Sequence, residues 1–218
     1  MDVRTLRALA KERTVHVAEY LEIEQKFDVG AGFTLPDFGA VPGCAGVRGP
    51  VTYHLTATYF DTADYRLAAS KITLRRRTGG TDEGWHLKLP AGTGVRREIR
   101  APLAAGQGQV PDELATQVAG VTGGLPLVPI AVLRTERTVL SLLSSSSGVL
   151  AEIADDVVTA RREATAGGPA PEPLRWREVE VEVPQPAPEV QEGAARLLLA
   201  AGAWPAGKAS KLARLLES

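Results

Sequence analysis

Residues 20–27 read YLEIEQKF, and the fold of the whole chain turns on how this octapeptide is read. Its apolar and charged residues alternate, which over this length marks a β-strand, because successive side chains of a strand point to opposite faces. Leu21, Ile23 and Phe27 fall on one face, and Glu22, Glu24 and Lys26 on the other. A row of two carboxylates and one ammonium has two readings. It is the wet face of a sheet, or it is part of a site that holds metal ions and an anion. The other strands decide between them.

A second acidic row stands in EVEVEV, where Glu178, Glu180 and Glu182 share one face and Val179, Val181 and Val183 the other. Two further strands are basic. Arg75 and Arg77 oppose Ile72, Leu74 and Arg76 in ITLRRR, and His86 and Lys88 oppose Trp85, Leu87 and Leu89 in WHLKLP. LRTERTVL places Arg137 and Arg134 on opposite faces, and AEIADDVV places Glu152 and Asp156 on one face with Asp155 on the other. Any antiparallel sheet with one solvated face alternates in this way. Solvated faces mix their signs, however, because like charges side by side are destabilising when nothing neutralises them. Here the signs are segregated by strand. The apolar faces need helices to cover them, which leaves the charged faces to line the inside of a closed sheet.

The remaining punctuation fits that picture. RTLRALAKER has a weak helical pattern, and the Gly/Pro-rich segment 30–50 reads as a long loop. ADYRLAAS reads as a turn or two of helix, and GGTDEG joins two strands as a hairpin. PDELATQVAG starts as a helix should, with Pro-Asp and a second acid in its first turn, and is expected to stop near Gly120. SSSSG makes another hairpin, ATAGGPAPEPL is a flexible connection, and two helices close the chain at 188–203 and 209–218. The count is about eight strands.

The 218 residues carry a formal net charge of −1, so no global basic field points to nucleic acid. The single cysteine, Cys44, rules out an internal disulfide framework and has no metal-ligand spacing. No apolar run is long enough to span a bilayer, and no signal-peptide core is present. A cytoplasmic protein with no membrane partner is expected, and a homodimer is compatible with the sequence. No G-x-x-x-x-G-K-[ST] occurs, which sets aside a P-loop NTPase. A barrel of about eight strands can hold one small ligand. Carboxylates are the hard donors that Mg²⁺ or Mn²⁺ prefer, while Arg and Lys grip phosphate.

These residues resemble a known family. EIEQK matches the E-x-E-x-K signature of the CYTH superfamily, the triphosphate tunnel metalloenzymes. Supporting matches follow in order: YFDT at 59–62, LRRR, LKLP, RREI, the strand of Arg134 and Arg137, AEIADDVV, EVEVEV and SKLARLL. The resemblance implies a mainly β fold, a closed eight-stranded antiparallel barrel with helices outside and at the C-terminus. It covers a single domain over 18–218, with 1–17 as an N-terminal extension. It implies Glu22, Glu24 and Lys26 as the catalytic signature, with one or two Mg²⁺ or Mn²⁺ ions. Glu22 and Glu24 would bind metal with two of Glu178, Glu180 and Glu182. Lys26, Arg75, Arg77, Lys88, Arg137 and Lys211 would bind the phosphates. An aspartate completes the metal set: parity favours Asp156, and the family pattern favours Asp155.

The partner implied is a small polyanion, namely triphosphate, a nucleotide or a longer polyphosphate. Family members include inorganic triphosphatases, thiamine triphosphatases, class IV adenylate cyclases, RNA triphosphatases and polyphosphate polymerases. The full set of tunnel charges with no evident platform for a ring favours inorganic triphosphate, hydrolysed to pyrophosphate and phosphate. Phe33 and Phe38 are the candidates for stacking on an organic group, as a cyclase would require. A non-catalytic polyphosphate or nucleotide sensor is the alternative of a different class. Arg76, Arg97 and Arg134 read as outer or rim charges, Asp61 and Thr62 as turn or capping residues, and His86 either as a group that touches substrate or as a lumen-rim histidine.

Overall fold

The computed structural model describes residues 17–164, 171–208 and 210–218. The expected helical pattern at 4–13, nearly all of the extension 1–17 and the middle of the connection 164–174 lie outside the described residues. The strands are β1 (Ala18–Asp28), β2 (Gly46–Asp61), β3 (Thr73–Thr78), β4 (Gly84–Gly92), β5 (Val95–Ala101), β6 (Val128–Leu143), β7 (Val149–Arg162) and β8 (Leu174–Val183), with a two-residue β9 (Trp204–Pro205). They run in the order β5-β4-β3-β2-β6-β7-β8-β1-β9, and β5 also pairs with β1. That last pairing closes eight antiparallel strands into a barrel, with β9 appended to β1. Closure removes most of the sheet's edges, which an open sheet of this length would have to protect.

Period-2 alternation now has a direction. The apolar face of β3, β4 and β5 points outward, and Leu74, Trp85, Leu87 and Ile99 pack beneath α1 (Arg66–Ala69) and α2 (Asp112–Thr122) through Leu67, Leu114 and Val118. The valines of β8 pack outward with Phe27 and Ile153 beneath α3 (Pro188–Ala200), which supplies Val190, Ala194 and Leu198. Gly193 lets α3 approach closely, since a Cβ there would lie 2.5 Å from Pro42 Cδ. Asp61 and Thr62 open α1: the Asp61 carboxylate accepts from the backbone N–H of Leu67 at 2.8 Å and of Ala68 at 2.9 Å.

The structure corrects the sequence reading in several places. The loop ends at Ala45, because Gly46–Pro50 already belongs to β2 and pairs with β6 up to Arg48. Phe38 is 1% exposed in the core under α3, Phe33 packs partly buried against that core with the Arg177 guanidinium over its ring, and neither lines the tunnel. Helix α2 runs past Gly120 and stops at Gly123, which takes the left-handed conformation at φ 63. The last helix, α4 (Lys211–Leu216), does not cover an outer face. It packs Leu212 and Leu215 against Ala57, Tyr59, Leu133, Val158 and Ala160, which are inward-facing residues, and so fills one end of the barrel. Burying these two leucines is worth about 1.5–3 kcal/mol each. Ser210 caps the helix start by accepting from Ala213 N at 3.0 Å, and Arg162 donates to Leu215 O at its end.

Candidate functional site

The barrel interior is a tunnel with one acidic and one basic wall. β1 and β8 are neighbours, and their register sets Glu24 opposite Glu182, Lys26 opposite Glu180 and Asp28 opposite Glu178. On the other side of β8, Asp156 of β7 lies opposite Glu178, and Arg137 of β6 lies opposite Asp156. Every one of Glu22, Glu24, Lys26, Arg137, Asp156, Glu178, Glu180 and Glu182 is therefore brought to this wall. Lys211 joins from α4 and lies 2.8 Å from Asp156, 2.7 Å from Glu178 and 2.6 Å from Glu180. Asp155 is not brought in: it faces outward and forms a two-pronged pair with Arg177 at 2.8 and 2.7 Å. Parity thus separates the two aspartates. It fails for Glu152, which shares the parity of Asp156 and lies opposite Glu182 but is exposed.

Oxygen atoms of Asp156, Glu178 and Glu180 all lie within 4.8 Å of one another. A donor set of carboxylates alone suits a hard divalent cation such as Mg²⁺ or Mn²⁺. Nearer the start of β1, Glu22 has a buried Oε2 with no partner, a second place where a cation would satisfy an orphaned acceptor. The protein's own cations neutralise the rest. Glu180 receives Lys26, Lys211 and Arg137, the last at 2.6 Å, and Arg137 also donates to Asp156 at 2.8 and 2.6 Å.

Burial alone would raise the pKa of these acids. The ammonium and guanidinium groups of Lys211, Lys26 and Arg137 instead hold Glu180 well below the usual carboxylate range. Arg137 and Lys211 likewise lower Asp156 against its burial, and Lys88 lowers Glu22. Glu182 is the exception: burial, then the Glu22 carboxylate, raise it to about 7.

The basic wall comes from β3, β4 and β5, which place Arg75, Arg77, Lys88, Arg96 and Arg100 inside with Glu98. Arg75 reaches the hydroxyl of Tyr59, at 3.4 Å, and Arg77 pairs with Asp82 from the β3–β4 hairpin loop. That loop is held close to β2, since a Cβ at Gly79 (φ 79) would lie 2.0 Å from His54 O. The Nε atoms of Arg75 and Arg77 are buried with no partner. Burial, then Arg75 and Arg137, push the Arg77 guanidinium down to about 8, so it remains a cation at neutral pH. Lys88 crosses to Glu22 on the acidic wall.

Arg97 lies at the exposed rim with Glu19, 3.6 Å away, and Arg134 is exposed on the outside. Sequence reading took Arg97 as a rim or outer charge and passed over Arg96, Glu98 and Arg100, although their common parity is the signal that groups them. It also left His86 between a substrate contact and a lumen rim, whereas that ring is 1% exposed and bonded behind the wall to Glu98.

Among solved structures, the fold is similar to that of a candidate adenylyl cyclase from Hippeastrum with a dominant triphosphatase activity, at a TM-score of 0.53 and 19% identity over 90% of this chain and 95% of that one. A Bacillus halodurans protein carrying an adenylate cyclase assignment gives a TM-score of 0.51 and 16% identity, over 90% and 97%. Curated relatives from two strains of Mycobacterium tuberculosis, described as uncharacterized proteins, are 42% identical over 208 residues, 91% of this chain. The chain spans 40% of their length. No helix among the described residues is long and apolar enough to cross a membrane. With the CYTH domain model matching residues 20–215, on a closed barrel whose interior carries the E-x-E-x-K strand, the chain belongs to the CYTH domain family.

Proposed function

We propose that the chain is a metal-dependent triphosphatase that hydrolyses inorganic triphosphate to pyrophosphate and phosphate inside the tunnel. The observation that carries this reading is the opposition of unmet groups. Buried guanidinium N–H donors of Arg75 and Arg77 lack acceptors on one wall, and a buried carboxylate oxygen of Glu22 lacks a donor on the other. A polyanion accompanied by a divalent cation answers both demands at once. The position of Phe33 and Phe38 outside the tunnel lining favours a substrate without a ring.

Glu22, Glu24, Asp156 and two of Glu178, Glu180 and Glu182 would hold one or two Mg²⁺ or Mn²⁺ ions. When bound, such an ion supplies Lewis acidity, which activates water and offsets phosphate charge. Lys26, Arg75, Arg77, Lys88, Arg137 and Lys211 would align the three phosphates. Water oxygen then bonds to the terminal phosphorus as the bridging P–O bond breaks, pyrophosphate leaves with that electron pair, and the proton the water gives up passes to an oxygen of the departing phosphates. The same cations stabilise charge spread over the transferred phosphoryl group and the leaving group, where most of the rate gain in phosphoryl transfer arises.

The test is phosphate release from triphosphate with Mg²⁺ or Mn²⁺, beside ATP and thiamine triphosphate, with Glu24→Gln as control. Release from triphosphate, reduced about a hundredfold in the control, is expected. Binding without release from any of the three would leave a sensor in place of an enzyme, and cyclic AMP from ATP would make it a cyclase.

A further inference from the structure

The cationic wall contains one carboxylate at its inward strand positions, and the phosphate-binding reading gives it no task. Glu98 is 1% exposed. Its Oε1 lies 2.7 Å from His86 Nδ1, and its Oε2 accepts from Arg100 Nε at 2.8 Å and Nη2 at 2.5 Å. Lys88 Nζ stands 3.8 Å from Oε1. The β4–β5 register explains the grouping, because Lys88 is opposite Glu98 and His86 is opposite Arg100.

His86 faces two oxygens, since its Nε2 also lies 2.9 Å from the Asp82 carbonyl. Burial, then the Arg75 and Arg77 guanidiniums, push the imidazole down to about 3 against the upward pull of Glu98. Both ring nitrogens face oxygen acceptors and the carboxylate is the stronger of the two, so Nδ1–H donates to Glu98. Glu98 in turn is held well below the usual carboxylate range, burial notwithstanding, by that bond and by Lys88.

Lys88 therefore stands between two carboxylates with different prospects. Glu22 is a candidate metal ligand with an orphaned oxygen, whereas both oxygens of Glu98 are already engaged by His86 and Arg100. Once Glu22 turns to a metal ion, Glu98 is the carboxylate left to hold the ammonium. We propose that His86 is a positioning residue of the tunnel, orienting Glu98 so that Lys88 and Arg100 are presented to the phosphates. This rests on the triphosphate reading of the site. It is distinct from simple charge balance, and the two differ in sign. A Glu98 that only neutralised charge would, once removed, leave a more cationic wall and tighter anion binding. A Glu98 that positions would leave a disordered wall and weaker binding.

The experiment compares wild type, His86→Leu, His86→Gln and Glu98→Gln by steady-state kinetics on triphosphate and by calorimetric binding of triphosphate without metal, with thermal unfolding as a control. For His86→Leu the expectation is a KM and a metal-free Kd raised about tenfold with kcat changed less than about threefold. His86→Gln, whose amide can still donate to Glu98, should recover most of the loss. Glu98→Gln should weaken binding, and this variant is read even if His86→Leu fails to fold. Unchanged or tighter binding in Glu98→Gln overturns the proposal, as does a loss in His86→Leu confined to kcat. A wild type that neither binds nor cleaves triphosphate overturns the functional reading and this inference with it. Normal wild-type binding matched by His86→Leu overturns the inference alone.

Discussion

The two walls of the tunnel are built from the same kind of strand and are left in different states. On the acidic wall, Glu180 and Asp156 are saturated by Lys26, Arg137 and Lys211, so three cations are tied up where metal would bind. On the basic wall, Arg75 and Arg77 keep buried Nε donors with no partner, and one inward carboxylate, Glu98, serves the strand cations. The contrast teaches that charge density alone does not make a binding wall. The basic wall offers its donors as it stands, and the acidic wall offers its oxygens only when its own cations are drawn to another anion. Metal and polyanion should therefore help each other bind, since phosphates would take Lys26, Arg137 and Lys211 away from the carboxylates that metal needs.

Removing a donor from the open wall should cost most in function. Arg75→Ala is expected to lower kcat/KM for triphosphate about a thousandfold, measured by phosphate release, with little change in the urea midpoint. A comparable loss of stability instead would mean that Arg75 belongs to the scaffold. On the saturated wall the balance should be reversed. Glu180→Gln leaves three buried cations short of their shared partner and should destabilise the protein by about 3 kcal/mol in urea unfolding. Glu180 itself, held below the carboxylate range, contributes stability that is present above the unfolded pKa and is lost as pH falls through the folded one. A neutral or stabilising Glu180→Gln would break the comparison.

Glu182 should behave in the opposite sense. Its pKa is 4.5 unfolded and about 7 folded, so its contribution is full below 4.5 and lost as pH rises through 7. Without divalent metal, Glu182→Gln should match wild type at pH 4 and exceed it at pH 8 by on the order of 1–2 kcal/mol. Equal stability at both values would remove Glu182 from the repelling acidic cluster. The smallest effect is expected outside. Asp155→Asn should leave Mn²⁺ affinity measured by calorimetry unchanged, because its carboxylate faces outward and is held by Arg177. A clear loss of Mn²⁺ affinity would reopen the choice between the adjacent aspartates.

Alternation made much of this legible before any coordinates. It grouped Glu22 with Glu24 and Lys26, Arg75 with Arg77, and the three glutamates of β8, and all of these groups do face inward. It left out Arg96, Glu98 and Arg100, whose shared parity on β5 was not read as a row. It could not foresee that Phe38 would enter the core under α3 and Phe33 pack against it, because a loop's packing partner carries no periodic mark.

The sequence by itself determined which side chains share a face, because a strand's period of two is a local property of the backbone. It also determined that the signs are segregated among strands. Only the tertiary structure decided how deep each charge sits and which charges meet. Those follow from register and closure: β1 against β8 sets Glu24 beside Glu182 and Lys26 beside Glu180, and β5 against β1 seals the ring. Helix α4 then carries Lys211 to the carboxylates from another part of the chain. Register depends on hydrogen bonds and packing between segments far apart in the chain, and no stretch of sequence encodes it alone.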